Sequence, residues 1–260
     1  MNTTPLPALI LAAGRGERMR PLTDTCPKPL LAVRGKPLLQ WTVEALLTAG
    51  VRDVVVNTAW LGQHIEDQFS PETLSRITDT LQIQERIGLC FSSEGRDFGY
   101  ALETAGGIVR ALPLLAPNPD GVFWAVAGDV FAPNFGFAAS DAARFLASGR
   151  LAHLWLVPNP PHHPQGDFGI SPEGLAIDGP GTNGARYTFS AIALYRRALF
   201  TLPWCDIPPG NPHGVTAPLA PLLRRTMAAG RVSAQLYTGH WTDVGTPERL
   251  AQLNIGIPQV

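Results

Sequence analysis

The chain has 260 residues, 45% of them hydrophobic and 16% charged, and its formal net charge is -1. That apolar share can build one large α/β domain or two small ones. The near-neutral balance excludes an extended nucleic-acid or membrane surface, so any anionic substrate must be held by a few placed groups.

Residues 6–13 form a short, continuous apolar run that ends in glycines, as expected of a strand buried on both faces. Pro37 opens a helical pattern with Leu39, Val43, Leu46 and Leu47 on one face, closed by Gly50. A strand over 52–57 and a short helix over 62–69 follow, and 70–84, weakly periodic, reads as a surface insertion. Strands are predicted at 87–93, 122–127 and 151–157, and helices at 104–115 and 137–148. This alternation predicts a Rossmann-like, mostly parallel sheet with helices on both faces. Ligands of such sheets bind beyond the carboxyl ends of the strands, so the loops after Ala13, Asn57, Ser93 and Ala127 are the candidates.

Beyond residue 158 the texture changes. Four prolines fall within 158–164, a Gly-rich turn spans 179–184, a strand is predicted at 188–195 and a helix at 217–229, closed by Gly230. This half reads as an antiparallel C-terminal addition to the same sheet, giving one domain over 1–260. Cys26, Cys90 and Cys205 are odd in number and lack a CxxC pair, which suits a reducing compartment and a cytoplasmic place. The N-terminus has no basic region before its apolar run, and no stretch approaches the ~20 apolar residues of a membrane span.

The segment from Leu9 through Thr23, followed by Pro27-Lys28-Pro29, is a buried strand feeding a Gly-x-Gly loop and four cations. Gly14 and Gly16 let backbone N–H groups approach anionic oxygens, and Arg15, Arg18, Arg20 and Lys28 can neutralise a triphosphate. No Lys-Ser or Lys-Thr follows these glycines, which excludes a Walker loop. Met19 stands where a dinucleotide fingerprint needs its third glycine. A bare Gly-x-Gly reads equally well as a solvated turn.

Two aspartates stand out. Asp129 ends the apolar strand 122–127 in a Gly-Asp pair, and Asp243 lies in His240-Trp241-Thr242-Asp243-Val244-Gly245-Thr246 just before a helix start. Together with phosphates and waters they could form a Mg²⁺ site. Singly, each also reads as a turn or a cap. Gly106, in Leu102-Glu103-Thr104-Ala105-Gly106-Gly107, reads as a contact for a flat base or as a packing glycine at a helix start. His162 and His163, between prolines and without a third ligand nearby, read as loop residues and not as a metal pair.

The string Gly14-x-Gly16-x-Arg18-Met19-x-Pro21-Leu22-Thr23, then Pro27-Lys28-Pro29, resembles the N-terminal signature of the sugar-1-phosphate nucleotidyltransferases, with every fixed position matched. The resemblance implies the nucleotide-diphospho-sugar transferase fold and a loop that wraps a nucleoside triphosphate. It puts Ala12, Ala13, Gly14, Gly16, Glu17, Gly106 and Ala127 at the nucleotide. It makes Arg18 and Lys28 catalytic contacts to the phosphates, and Asp129 and Asp243 the ligands of catalytic Mg²⁺. The implied reaction is in-line attack of a sugar phosphate oxygen on the α-phosphorus, with pyrophosphate leaving.

Three shorter strings, 57–63, 159–168 and 188–192, resemble the N-acetylmuramate α-1-phosphate uridylyltransferases of peptidoglycan recycling, which implies UTP as donor. On that pattern Asn57, Asp167 and Ser190 face the sugar, with Trp60 beside them. Ala127 departs from the family's frequent Asn, and Ala191 from its frequent glycine. The alternative within the same chemistry is a guanylyltransferase acting on mannose or heptose 1-phosphate. A non-catalytic nucleotide-sensing subunit is a different class, and retention of Arg18, Lys28, Asp129 and Asp243 argues against it. Neither nucleic acid nor membrane is an expected partner. No hexapeptide repeat follows Asp243, so the subclass with a C-terminal β-helix is not expected.

Overall fold

Runs of valine, leucine and isoleucine between glycine-rich turns can bury both faces only inside a sheet covered by helices on each side. The computed structural model, which describes residues 5–115, 120–182 and 184–255, has that arrangement. In chain order the main strands are β1 (Ala8–Leu11), β2 (Asp53–Thr58), β3 (Gly88–Ser93), β4 (Val122–Ala127), β5 (Val130–Phe131), β6 (Ala152–Val157), β7 (Thr188–Arg196), β8 (Val232–Leu236) and β9 (Thr242–Asp243). Seven of them form one sheet in the order β8-β6-β7-β4-β1-β2-β3, while β5 and β9 form a separate two-stranded ribbon. The pairs β1–β2, β1–β4, β2–β3 and β6–β8 are parallel. Only β7 runs antiparallel, between β4 and β6. The C-terminal addition thus enters the sheet through the antiparallel β7, and β8 then returns parallel to β6.

Strand alternation divides the apolar residues between two cores. Leu9, Val55, Phe123, Ala125 and Leu154 face α5 (Glu103–Ala111) and α7 (Leu219–Ala228). Ala8, Ile10, Val54, Val56, Trp124 and Trp155 face α1 (Leu38–Thr48), α2 (Gly62–Gln68) and α6 (Ala139–Ser148). A third, smaller cluster joins Met19, Leu31, Val33, Leu38, Phe131, Val244 and Leu253. Among the described residues no helix is long and apolar enough to cross a membrane.

The differences from the sequence pattern have local causes. The predicted helix over 137–148 starts two residues later because Phe137 has a left-handed φ of 43°. The one over 217–229 starts at Leu219, after an extended Pro218. The one over 104–115 ends at Ala111, and a 3-10 turn containing Pro113 follows. Within 70–84, α3 (Pro71–Thr80) forms with Ser70 as N-cap, its hydroxyl accepting from Thr73 N at 3.4 Å. Ile77 is buried and Leu74 packs on the second core, so a sparse apolar stripe suffices to seat this helix.

β6 also carries the one histidine with a large shift. Burial pushes the His153 imidazole down from 6.5 to about 4, helped by the Arg144 charge. Its ring packs edge-on against Trp155 and its Nδ1 lies 2.9 Å from Ser233 Oγ. The unfolded chain binds this proton more tightly, so the stabilisation is complete above pH 6.5 and is lost as pH falls towards 4. The ceiling is about 3 kcal/mol at 1.36 kcal/mol per pKa unit. Urea denaturation between pH 7 and 4 should show this loss in the wild type and a flatter profile in His153→Gln. Parallel profiles would contradict the assignment.

Candidate active site

The carboxyl ends of β1, β2 and β4 open into a cavity of about 820 Å³. Its rim begins where the β1 ladder stops. Ala12 N leaves the sheet and donates to Asn57 Oδ1 at 2.6 Å, so a side chain takes over where strand pairing ends. The chain then enters the Gly14–Lys28 loop. Gly16 sits at φ 66°, strained for any side chain, and a Cβ would be crowded at 3.1 Å from Thr23 Cγ2 and 3.2 Å from Lys28 Cβ. A Cβ at Gly14 would meet open space, which leaves the backbone there accessible to a ligand.

Thr23 organises this loop from inside. Its fully buried hydroxyl donates to Gly16 O at 2.8 Å, and its carbonyl accepts from Arg15 Nη1 at 2.8 Å and Trp60 Nε1 at 2.9 Å. The Arg15 guanidinium stacks on Trp60, 3.5 Å from the ring centroid. Asp24 draws in Arg15 at 3.1 Å and Arg20 at 2.8 Å, and these two cations hold its carboxyl below the usual range. Of the four loop cations, Arg15 and Arg20 are thus tied to Asp24. Arg15, Arg18 and Lys28 line the cavity and Arg20 does not. Trp60 is a correction, because it braces the loop and does not line the cavity.

Lys28 is buried, and its Nζ meets Asp129 Oδ2 at 2.5 Å across 101 residues of sequence. Gly128, before Asp129, lies close against the end of β1: its N donates to Leu11 O at 2.8 Å, and a Cβ would lie 3.2 Å from that oxygen. Asp243 reaches the same place through the β5–β9 ribbon, where it pairs with Val130 while Val244 N donates to Asp129 O at 2.9 Å. Asp243 itself stands outside the cavity lining, and its neighbour Gly245 is in it. Both Asp243 oxygens accept from Arg249 Nη1, at 2.7 and 2.6 Å, and His162 Nε2 lies 3.0 Å from Oδ1. The His162–His163 pair is therefore more than loop filling, since His163 Nε2 lies 3.1 Å from Asp167 Oδ1.

The structure gathers Ala12, Ala13, Gly14, Gly16, Glu17, Arg18, Lys28, Asn57, Ala127, Asp129 and Asp167 around one cavity. Two expected contacts fail. Gly106 does not line it; a Cβ there would lie 2.5 Å from Val215 O, so this glycine lets α5 pack on the 215–217 segment. Glu103 and Thr104, one turn earlier, occupy the wall instead. Ser190 is fully buried, donating to Trp155 O at 2.7 Å and accepting from Ile192 N at 3.2 Å. Strand alternation explains this, because Phe189 and Ala191 take the cavity face and Ser190 the opposite one. A register shift between Phe189 and Ala193 leaves Ala191 at φ 60°, a conformation that glycine adopts without cost. Asn57 lines the cavity, yet both of its polar side-chain atoms are committed to protein partners.

The second of those partners was not singled out by the sequence pattern. Glu94 is fully buried; Oε1 accepts from Asn57 Nδ2 at 2.7 Å and Oε2 from Leu102 N at 2.8 Å. Burial pushes its carboxyl up, against the pull of those two donors. A Cβ at Gly107 would lie 2.6 Å from Glu94 Oε1. Glu94 thus links the start of the phosphate loop, through Asn57, to the start of α5.

Comparison with known proteins agrees with this geometry. Residues 7–171 match the family described as Nucleotidyl transferase. The chain is 45% identical over 246 residues to an N-acetylmuramate alpha-1-phosphate uridylyltransferase of Neisseria meningitidis, covering 94% of this chain and 95% of the relative. It is 29% identical to one of Caulobacter vibrioides, covering 95% of each. The solved inositol-1-phosphate CTP transferase of T. maritima superimposes with a TM-score of 0.64 over the full length of both chains at 15% identity, and so shares the fold.

Glu94→Ala should leave Asn57 Nδ2 and Leu102 N unpaired in the interior and lower stability by roughly 2–4 kcal/mol in urea denaturation. A change within 0.5 kcal/mol of wild type would remove Glu94 from this role.

Proposed function

The chain belongs to the nucleotidyl transferase family, and from that premise we propose that it transfers the uridylyl group of UTP to a sugar 1-phosphate, N-acetylmuramate α-1-phosphate, giving UDP-N-acetylmuramate and pyrophosphate. The observation that carries the reading is the Gly14–Lys28 loop closed onto Asp129 across the mouth of a cavity large enough for both substrates. The sugar and the base follow from the 45% identical relative. N-acetylmuramate is a peptidoglycan sugar, so the product would return it to cell-wall synthesis.

Both substrates are anionic, and the site's main task is to bring two phosphates together in line. The N–H groups around Gly14 and Gly16 and the Arg18 and Lys28 cations bind the triphosphate and offset charge as pyrophosphate leaves. Positioning supplies the remainder, because phosphoryl chemistry needs no covalent protein intermediate. Asp167, held by Phe189 N at 2.8 Å and beside His163, lines the cavity and would meet a sugar hydroxyl on this reading.

Asp129 and Asp243 fit a divalent cation. The ribbon sets their backbones side by side, and each carboxylate already holds a positive partner, Lys28 or Arg249. Their hard oxygens, completed by phosphate oxygens and water, suit Mg²⁺. When bound, Mg²⁺ polarises the α-phosphate and gathers the two anions.

The reading is tested by a panel of the four nucleoside triphosphates against N-acetylmuramate, mannose and glucose 1-phosphates, read as pyrophosphate release with Mg²⁺. Turnover is expected with UTP and N-acetylmuramate α-1-phosphate. Turnover with GTP and mannose 1-phosphate but none with UTP would replace this reading with the guanylyltransferase.

A further inference from the structure

The cations of the cavity do not all belong to the phosphate loop. α7 forms part of the wall through Leu219, Ala220, Leu223 and Arg224, and Arg224 is the cation that the C-terminal half brings to the cavity. Its Nε lies 3.1 Å from Asp178 Oδ2, while the described residues offer its Nη amines no hydrogen bond. Asp178 follows the short strand Ala176–Ile177, which pairs with Gly169–Ile170 directly after Asp167 and Phe168. Phe168, Ala176 and Leu223 share one core, which seats this part of α7 against the Asp167 end of the cavity. The cavity carboxylate Glu103 is set towards the other end of α7, where Ala105 N and Gly106 N donate to Ala217 O. Leu219 and Arg224 are five residues apart, about 7.5 Å along the helix axis.

Arg224 is half-exposed at this wall and held at Nε by one aspartate, so its outer amines can present a planar fork to an anion. The phosphates already have Arg18 and Lys28. The sugar named for the 45% and 29% identical relatives carries, besides its phosphate, a carboxylate on a lactyl ether. From this we propose that Arg224 determines specificity by pairing with a carboxylate on the acceptor sugar, selecting a sugar 1-phosphate with this second charge. The inference rests on the substrate reading above and adds the residue that enforces it.

The test compares N-acetylmuramate α-1-phosphate with N-acetylglucosamine α-1-phosphate, the same pyranose without the lactyl ether, using wild type, Arg224→Leu and Arg224→Lys with UTP. Arg224→Leu is expected to raise KM for the carboxylate sugar on the order of 10-fold or more, corresponding to about 1.4 kcal/mol, with kcat little changed. Arg224→Lys should recover part of the loss, and turnover of the neutral sugar should not fall. Equal losses on both sugars would make Arg224 a phosphate contact and overturn the proposal, as would unchanged kinetics on both. A wild type that uses neither sugar with UTP would refute the substrate reading itself, and the proposal with it.

Discussion

The site depends on the small third core beneath it. Met19, Phe131 and Val244, from three distant parts of the chain, pack together with Leu31, Val33, Leu38 and Leu253, and the first three are almost completely buried. Each is a near neighbour of a candidate site residue: Met19 follows Arg18, Phe131 lies two residues past Asp129, and Val244 follows Asp243. Hydrophobic packing here sets the relative positions of an arginine and two carboxylates that could not gather by attraction alone. Burying one methionine-sized side chain contributes about 1.5–3 kcal/mol, more than an exposed ion pair of about 1 kcal/mol or less.

On that base each of the three candidate site aspartates faces a partner. Asp129 faces Lys28, Asp243 faces Arg249 and His162, and Asp167 faces His163 and Phe189 N. Asp24 meanwhile pairs with Arg15 and Arg20 at the edge of the loop. The outcome is a cavity whose cations come from two sides, Arg15, Arg18 and Lys28 from the loop and Arg224 from α7. Such a site suits polyanions in a chain of net charge -1.

Much of this was legible in the sequence. The Gly14–Lys28 loop announces itself because its glycines and cations are close in sequence, and the apolar runs of β1, β2 and β4 identify the strands whose ends hold it. Asp129 and Asp243 were legible as motifs, although only the ribbon of Val130 with Asp243 shows how they meet. What failed depended on direction, not on residue type. Ser190 and Phe189 are neighbours in sequence and face opposite sides of the sheet, and Gly106 lies one turn beyond Glu103, where α5 packs on the 215–217 segment and no longer borders the cavity. Glu94 and Arg224 gave no local signal, since one matters through Asn57 and the other through a wall that α7 completes from over a hundred residues away.

The central claim is that Asp129, facing Lys28, belongs to the machinery of nucleotidyl transfer and not merely to the fold. Asp129→Asn keeps the size and an acceptor for Lys28 while removing the charge. The most direct measurement is kcat for UDP-sugar formation by this variant, alongside its thermal unfolding midpoint. In Asp129→Asn, kcat is expected to fall on the order of 10²-fold or more with a midpoint close to wild type. An Asp129→Asn enzyme that turns over at the wild-type rate would contradict it.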